Sequence, residues 1–560
     1  MLEDADGTRR RDAPDAEIRA DLVAHRRAVM PALLRKPEFC AVCHKSAIVP
    51  ELNGRKWFRT FSVYDEWQQS AFAQETAQPL AQREYRSCRD CHMPKQAATG
   101  YASHRWPGGN TAIPAHYGWP RQLQATKEFL QDNAVTVDIF AVSAPDGPPA
   151  QAFTASNAPV IPPGRAVAVD VVVANRGVGH AFPAELRDMF EAGLEFEARD
   201  AAGRVLYHSG AVRPDGTLDW NAHAYRAVPL DDQGRPVTRH DIWRTRVGGF
   251  DRFIPAGRSD LGRFAFTVPA DAQTPLKLTA RLNYRRFNAR YIEWVRRSEK
   301  DVAASPVTQM SEATVTAPLG VTTNDKHAVS PDSAKTGQAA PSPELYRRWR
   351  SYGVALFDQQ QYEAAAQAFG QARLFAPPAT PEEAAVCVDL ALSYLRLERA
   401  GPSQQILAQA GECLRRALEI TPNAARPLYY RALLHIKQFK YTEALATLES
   451  LARSNPQDRQ VWTQLAALYL LQRRDREAQT AYEHILTIDP DDTEAHFKLS
   501  GLYWRFGLTE AAKLEQSKYQ ARHNDTVGET LRRDFLRSRP ELYETWPWRE
   551  FGDNPFGTTP

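Results

Sequence analysis

No stretch of this 560-residue chain approaches the ~18 consecutive apolar residues of a membrane-spanning helix, so no span is expected. Charge of one sign is missing too. The 70 Lys and Arg against 67 Asp and Glu leave a net charge of +3, which implies no polyelectrolyte partner. No Lys/Arg block suits phosphate tracking, so no nucleic-acid partner is expected. Residues 1–16 (MLEDADGTRRRDAPDA) have no apolar core and are not an export signal. Cysteine is scarce. Of six in the chain, four fall in two five-residue strings, so its use is concentrated on one chemistry.

Those strings are CAVCH at 40–44 and CRDCH at 88–92. Each is C-x-x-C-H, the attachment pattern of a c-type haem. Two thiols at this spacing reach the two vinyl groups of one porphyrin. The next residue sets an imidazole under the iron. Cys40, Cys43, Cys88 and Cys91 are therefore expected to carry two covalent haem c groups, with His44 and His92 as proximal ligands. Zinc also binds paired CxxC motifs. A zinc ribbon separates its pairs by about 15–20 residues, and Cys43 and Cys88 lie much further apart. Zinc also gives no reason for a histidine after both second cysteines.

A second axial ligand is expected from histidine. His104 precedes a Pro-Gly-Gly turn that could fix an imidazole, and it is the first choice. His116 and His25 are further candidates. Trp57, Phe58, Tyr64, Trp67 and Trp106 are candidate haem-packing aromatics, and residues 65–74 read as a short helix. Residues 15–34 also have helical periodicity.

The strings FCAVCHKSAIVPELNGRKWFRTFSVYDEWQQSA, CRDCHMP, SHRWPGGNTAIP and FLQDNAVTVDIFAV resemble the C-terminal half of a family of bacterial multihaem cytochromes in the style of the cytochrome c-552/c-554 group. The likeness extends through residues 35–300. It implies further CxxCH motifs and an export signal upstream, so the chain is expected to be a fragment of a periplasmic or extracellular protein. It also implies that His180, in the string GVGHAFP, can cap a haem from the neighbouring domain. Small residues around His180 would let its backbone approach a planar group closely. His223 and His240 are weaker candidates for that role.

Residues 1–133 are thus expected to form a haem-wrapped irregular α domain. Residues 134–300 carry short apolar strands between Gly, Pro and Asp turns (TVDIFAV, AVAVDVVVAN, LEFEARD, GRFAFTV, LKLTARLNY) and suggest an immunoglobulin-like β-sandwich. Residues 301–343 are rich in Ser, Thr, Ala and Pro without periodicity, as in a flexible or surface-draped linker. Residues 344–524 repeat with a 34-residue period, marked by Pro422, Pro456 and Pro490. Small residues recur in first helices (Gly353, Ala432, Ala466) and in second helices (Ala365, Ala410, Ala444, Ala478, Ala512). This resembles an α-solenoid of five tetratricopeptide repeats, the second enlarged by 11 residues. Cys387 and Cys413 are expected to be core thiols of the enlarged unit. Residues 525–560 are expected to be a capping helix and tail. The array is expected to dock a redox protein partner, with the linker letting the haem region move against it. The function expected is electron carriage. The alternative is an oxidoreductase acting on a small nitrogen or sulfur oxyanion, which would need an open iron.

Overall fold

The computed structural model describes Ala16, Ala20 and residues 32–73, 85–95, 100, 102–144, 151–154, 158–218, 222–320, 340–397, 403–523, 525–539 and 542. His25, and most of the helix expected over residues 15–34, lie outside these.

The N-terminal region combines short helices with one hairpin. Helix α1 (Glu38–His44) holds the first CxxCH string and runs straight into strand β1 (Lys45–Ile48). After α2 (Pro50–Asn53), β2 (Phe58–Ser62) pairs antiparallel with β1. This hairpin was not foreseen, because the motif histidine hides the start of a four-residue strand. Helix α3 spans Val63–Gln68 and ends earlier than the sequence suggested. Helix α4 (Cys88–His92) is the second CxxCH string, held by a capping box between Ser87 and Asp90. Helices α5 (Ala112–His116) and α6 (Pro120–Leu130) lead into the β-rich region.

That region is two antiparallel sheets around one core. Strands β3 (Val135–Ser143), β4 (Gln151–Ala152), β5 (Ala166–Asn175) and β11 (Ser259–Thr267) form the first, in the order β11-β5-β3-β4. The second contains β6 (Glu191–Arg199), β7 (Val205–Ser209), β12 (Leu276–Arg285) and β13 (Thr308–Ala317), in the order β13-β12-β6-β7, with β8 (Ala224–Tyr225) added on β6. Strands β9 (Ala227–Leu230) and β10 (Val247–Asp251) make a separate hairpin. Val169, Val171, Phe196 and Leu278 are among the side chains that fill the space between the sheets.

Strand β13 corrects the expected linker. Residues 308–317 are paired along the length of β12. The strand escaped notice because it reads TQMSEATVTA, with few large apolar residues. Only one face is covered, so Thr308, Met310 and Ala317 are buried while polar residues between them face outward. Helix α7 (Ala289–Val295) sits between β12 and β13 in the chain.

From Pro343 the chain is helical throughout. Five antiparallel pairs follow: α8 (Pro343–Asp358) with α9 (Tyr362–Phe375), α10 (Pro381–Leu397) with α11 (Gln404–Ile420), α12 (Ala425–Lys437) with α13 (Tyr441–Ser454), α14 (Arg459–Leu471) with α15 (Asp475–Ile488), and α16 (Thr493–Arg505) with α17 (Thr509–Arg522). The second pair is the enlarged one. Pro422, Pro456 and Pro490 fall in turns after second helices, where a missing N–H costs nothing. Small residues sit where helices touch. A Cβ on Gly353 would stand 2.7 Å from the buried ring of Phe369. Gly353→Ala is therefore expected to destabilise the array. An overpacking cost of about 1–3 kcal/mol exceeds the ~1 kcal/mol of added helix propensity. Urea denaturation followed by far-ultraviolet circular dichroism checks this. A raised midpoint would show that Phe369 yields without cost.

The array is not tethered loosely, as the linker reading implied. Phe140, Ala141, Val172 and Leu261 of the first sheet share one apolar cluster with Tyr352, Phe357 and the rest of the array. Phe140 stacks on Tyr352 at 4.2 Å between ring centres, the Tyr352 hydroxyl donates to Asp170 at 2.8 Å, and Arg348 forks onto Asp138. Apolar burial at this contact fixes the first repeat whatever the preceding segment does. The last helix, α18 (Thr526–Arg537), packs against β10, with Phe535 and Leu542 beside Val228, Leu230, Val247 and Phe250.

Candidate functional site

The two CxxCH strings come together. The Cys88 thiol hydrogen-bonds with that of Cys40, and burial first, then Cys40, pushes it up to about 12. All four motif cysteines are free thiols. They are not gathered round one point: among the described residues, no three His, Cys, Asp or Glu side chains form a group that could hold a metal ion.

The histidines are arranged differently. The His92 and His180 rings are nearly parallel, 10° apart, with centres separated by 6.3 Å. His92 is fixed by its Nδ1, which lies 2.6 Å from the Pro107 carbonyl. His180 is fixed in the same way, with Nδ1 2.9 Å from the Ala181 carbonyl. A carbonyl only accepts, so each Nδ1 carries the proton and each Nε2 is left with a lone pair. Burial pushes the His180 imidazole down to about 4, so it is neutral at pH 7. His44 also uses Nδ1, against the Glu185 carboxylate, and that bond raises its pKa in spite of burial. Three histidines thus have Nδ1 engaged and, among the described residues, no partner at Nε2, the arrangement found behind metal-ligating imidazoles.

Loop geometry holds His180 in place. The Asn175 amide donates to the carbonyls of His180 and Ile254, at 2.9 and 3.1 Å, and its oxygen accepts from the Val178 N–H. The Ala181 N–H donates to Glu66, a buried carboxyl that burial pushes up to about 7 against the pull of Arg187. Gly177 has no room for a Cβ, which would meet the Ala134 backbone at 2.8 Å. A Cβ on Gly179 would meet Trp67 and Phe72. Sequence reasoning missed Asn175, Glu185 and Glu66. Only their long-range partners mark them.

A porphyrin held between two imidazoles fits this geometry. Metal–imidazole bonds of about 2.0–2.1 Å on opposite sides of one iron set ring centres roughly 6 Å apart. Cys88 and Cys91, one helical turn before and beside His92, would supply the thioether anchors.

The other candidates fall elsewhere. His104 is exposed and opens onto a separate basin, and no hydrogen bond or ring contact ties its imidazole to another group among the described residues. His116 is exposed against Tyr117. His223 is buried and bonded to Asp260 at 2.9 Å, and His240 to Asp188 at 2.7 Å, so both serve the β-rich region. Trp57 does not face the motifs. Its N–H donates to Ala521 of α17, and the Arg522 guanidinium lies 4.9 Å from its ring centre. Trp67 is buried and donates to the Arg86 carbonyl at 2.7 Å. Cys387 and Cys413 are buried in the enlarged helix pair.

The array reaches the motif region through charge. Asp489, just past α15, is buried and faces Arg459 at 2.8 Å, Arg59 at 3.1 Å and Lys45 at 3.6 Å. Lys45 follows His44 directly and also pairs with Asp65. Arg522 pairs with Asp491 at 2.7 Å.

No curated protein matches the chain. Among solved structures, a penta-heme cytochrome c552 from Thermochromatium tepidum matches at 20% identity and TM-score 0.33, over 51% of this chain. The chain spans 57% of the length of that cytochrome. MamA AMB-1 matches at 21% identity and TM-score 0.25, over 31% of this chain and 95% of its own. PilF of Pseudomonas aeruginosa matches at 16% identity and TM-score 0.29, over 36% and 89%. No helix among the described residues is long and apolar enough to cross a membrane. Residues 460–492 match the family model of the tetratricopeptide repeat, and the C-terminal helices are a tetratricopeptide repeat module of the kind that binds proteins.

Proposed function

We propose that this chain is a multihaem c-type cytochrome that carries electrons, with a repeat module that engages a redox protein partner. Cys40 and Cys43 would anchor one haem with His44 as proximal ligand. Cys88 and Cys91 would anchor the second, with His92 proximal and His180 distal. A bound haem c supplies one-electron transfer, and its potential follows its axial ligands. The observation that carries the reading is the parallel pair His92 and His180, each with Nδ1 held by a carbonyl. His92 and His180 together would hold a haem iron from both sides, which favours electron carriage over chemistry on a bound substrate at that iron. The residues of the chain do the rest. The Pro107 and Ala181 carbonyls orient the two imidazoles, Asn175 holds the loop that carries His180, and the buried Trp67 and Phe72 exclude water. Haem attachment to CxxCH takes place outside the cytoplasmic membrane in bacteria, so we assign the protein to the periplasm or beyond.

Mass spectrometry of protein produced with haem-attachment machinery tests this. Two haem additions per chain are expected, and one after Cys88→Ala with Cys91→Ala. One zinc and no haem would overturn the reading.

A further inference from the structure

The surface beside His92 has a composition of its own. Between Lys95 and Lys127 the sequence contains no Asp or Glu, while Arg105 and Arg121 lie in the same stretch. Four large apolar side chains there are exposed: Trp106 at 51%, Tyr117 at 61%, Trp119 at 53% and Ile113 at 39%. Tyr117 and Trp119 stack at 5.3 Å. His104, Arg105, Trp106, Ile113, Trp119 and Arg121 line an open basin of about 750 Å³. Exposed aromatics rimmed by arginine make the composition of a protein-binding hot spot, not of an ordinary solvated face.

Backbone geometry adds a second observation. Trp106 has φ +49°, in the left-handed region, a strained conformation for a bulky residue. Such strain lasts only where the surroundings impose it. Its neighbour Pro107 has the carbonyl that takes the Nδ1–H of His92. The residue that carries the exposed indole is thus joined through one peptide bond and one hydrogen bond to the imidazole proposed as a haem ligand.

We infer that this basin is the docking surface for an acidic electron-transfer protein, and that electrons cross there to the iron on His92. The proposal rests on the haem reading of residues 88–92. In the step itself the partner's reduced centre loses one electron and the ferric haem gains it, with no bond made or broken. The occupant is acidic because every charge on the rim is positive, and it is a protein because the basin is open and broad. Complementary charge raises the encounter rate and orients the pair, an effect that salt screens.

The test uses the full chain with its haems and reduced flavodoxin, an acidic one-electron donor, as probe. Stopped-flow absorbance follows haem reduction at low and high salt. Haem content, visible spectrum and flavodoxin affinity by fluorescence anisotropy are recorded on the same samples. The parent rate should fall as salt rises. Arg105→Glu with Arg121→Glu should slow reduction and weaken binding roughly tenfold or more, and Trp106→Ala should slow it severalfold. Lys277→Glu, an exposed charge on the sandwich, should do neither. Equal rates and affinities in parent and double variant overturn the docking surface. So does a shift of the haem spectrum in His104→Ala, which would mean that the basin holds an iron. If no haem is attached at Cys88 and Cys91, the haem reading fails, and anisotropy alone decides docking: unchanged affinity in the double variant rejects it.

Discussion

Asp489→Ala is expected to loosen the contact between the repeat array and the CxxCH region at neutral pH and to cost less than the ~3–5 kcal/mol of breaking an isolated buried pair. The carboxylate is buried between Lys45, Arg59 and Arg459. Removing it leaves three cations in a poorly hydrated space. Arg59 keeps Asp65 and Asp491, and Arg459 keeps Asp492, so the loss is smaller than for an isolated buried pair. Burial alone would raise the Asp489 pKa, but Arg59, Arg459 and Lys45 outweigh it and hold it at about 2, below the ordinary 3.8. A depressed folded pKa contributes stability that is fully present above the unfolded value. That stability is lost as pH falls through the folded one. The window is therefore pH 4 to 2, and the gap of nearly two units is worth roughly 2.5 kcal/mol. Hydrogen exchange by mass spectrometry gives the readout. Peptides covering residues 55–62 and 515–523 should both exchange faster in Asp489→Ala, since the Trp57 N–H is bonded to Ala521 across the same contact. Unchanged exchange in both, with an unchanged melting temperature, would show that the contact is held without Asp489.

What the sequence revealed follows the range of the forces involved. The repeat was legible because its signals are local and periodic: a proline every 34 residues, small residues at fixed offsets, and apolar stripes on each helix. Positive φ at Phe439, Arg473 and Gly507 falls on the same period, but neither Phe439 nor Arg473 is the glycine that would have advertised the turn. Five strands stood out as apolar runs between turn residues, and they are β3, β5, β6, β11 and β12. Strands β7, β8, β9, β10 and β13 are short, edge-located or half polar, and periodicity weighs little there. The docking of the array on the sheet was illegible, because Arg348, Tyr352 and Phe140 are ordinary residues until partners some 200 positions away meet them. In the candidate site the motif residues carry a spacing that only chemistry explains. Asn175 and Glu185 carry none. They act through one carbonyl and one imidazole that the fold delivers.

Lys45 is bonded to the array's Asp489 and is the residue after His44. A partner that pulls on the fourth or fifth repeat would therefore act on the first CxxCH helix through a buried ion pair, not through a slack tether.

The largest spectroscopic effect is expected from His180→Ala. In the parent, the haem on His92 should resist carbon monoxide, because its proposed iron would have imidazoles on both faces. His180 is well placed to hold its position. Its ring is partly buried and neutral, its carbonyl is bound by Asn175, and the next residue's N–H is bound by Glu66. Alanine removes the imidazole that faces His92 and supplies no nitrogen in its place. The variant should keep two covalent haems, since Cys88 and Cys91 are untouched. The share of its haem absorbance that responds to carbon monoxide should exceed the parent's by about half of the total, and one reduction potential should move by on the order of 100 mV, as axial identity sets it. His180→Met should restore resistance to carbon monoxide at a higher potential. Asn175→Ala separates orientation from ligation. It leaves the imidazole but frees the loop, so it should broaden the spectrum and lower the melting temperature without opening the iron fully. If the parent binds carbon monoxide as readily as His180→Ala, His180 is no ligand, the second iron face is open, and chemistry on a small oxyanion becomes the better reading of this site.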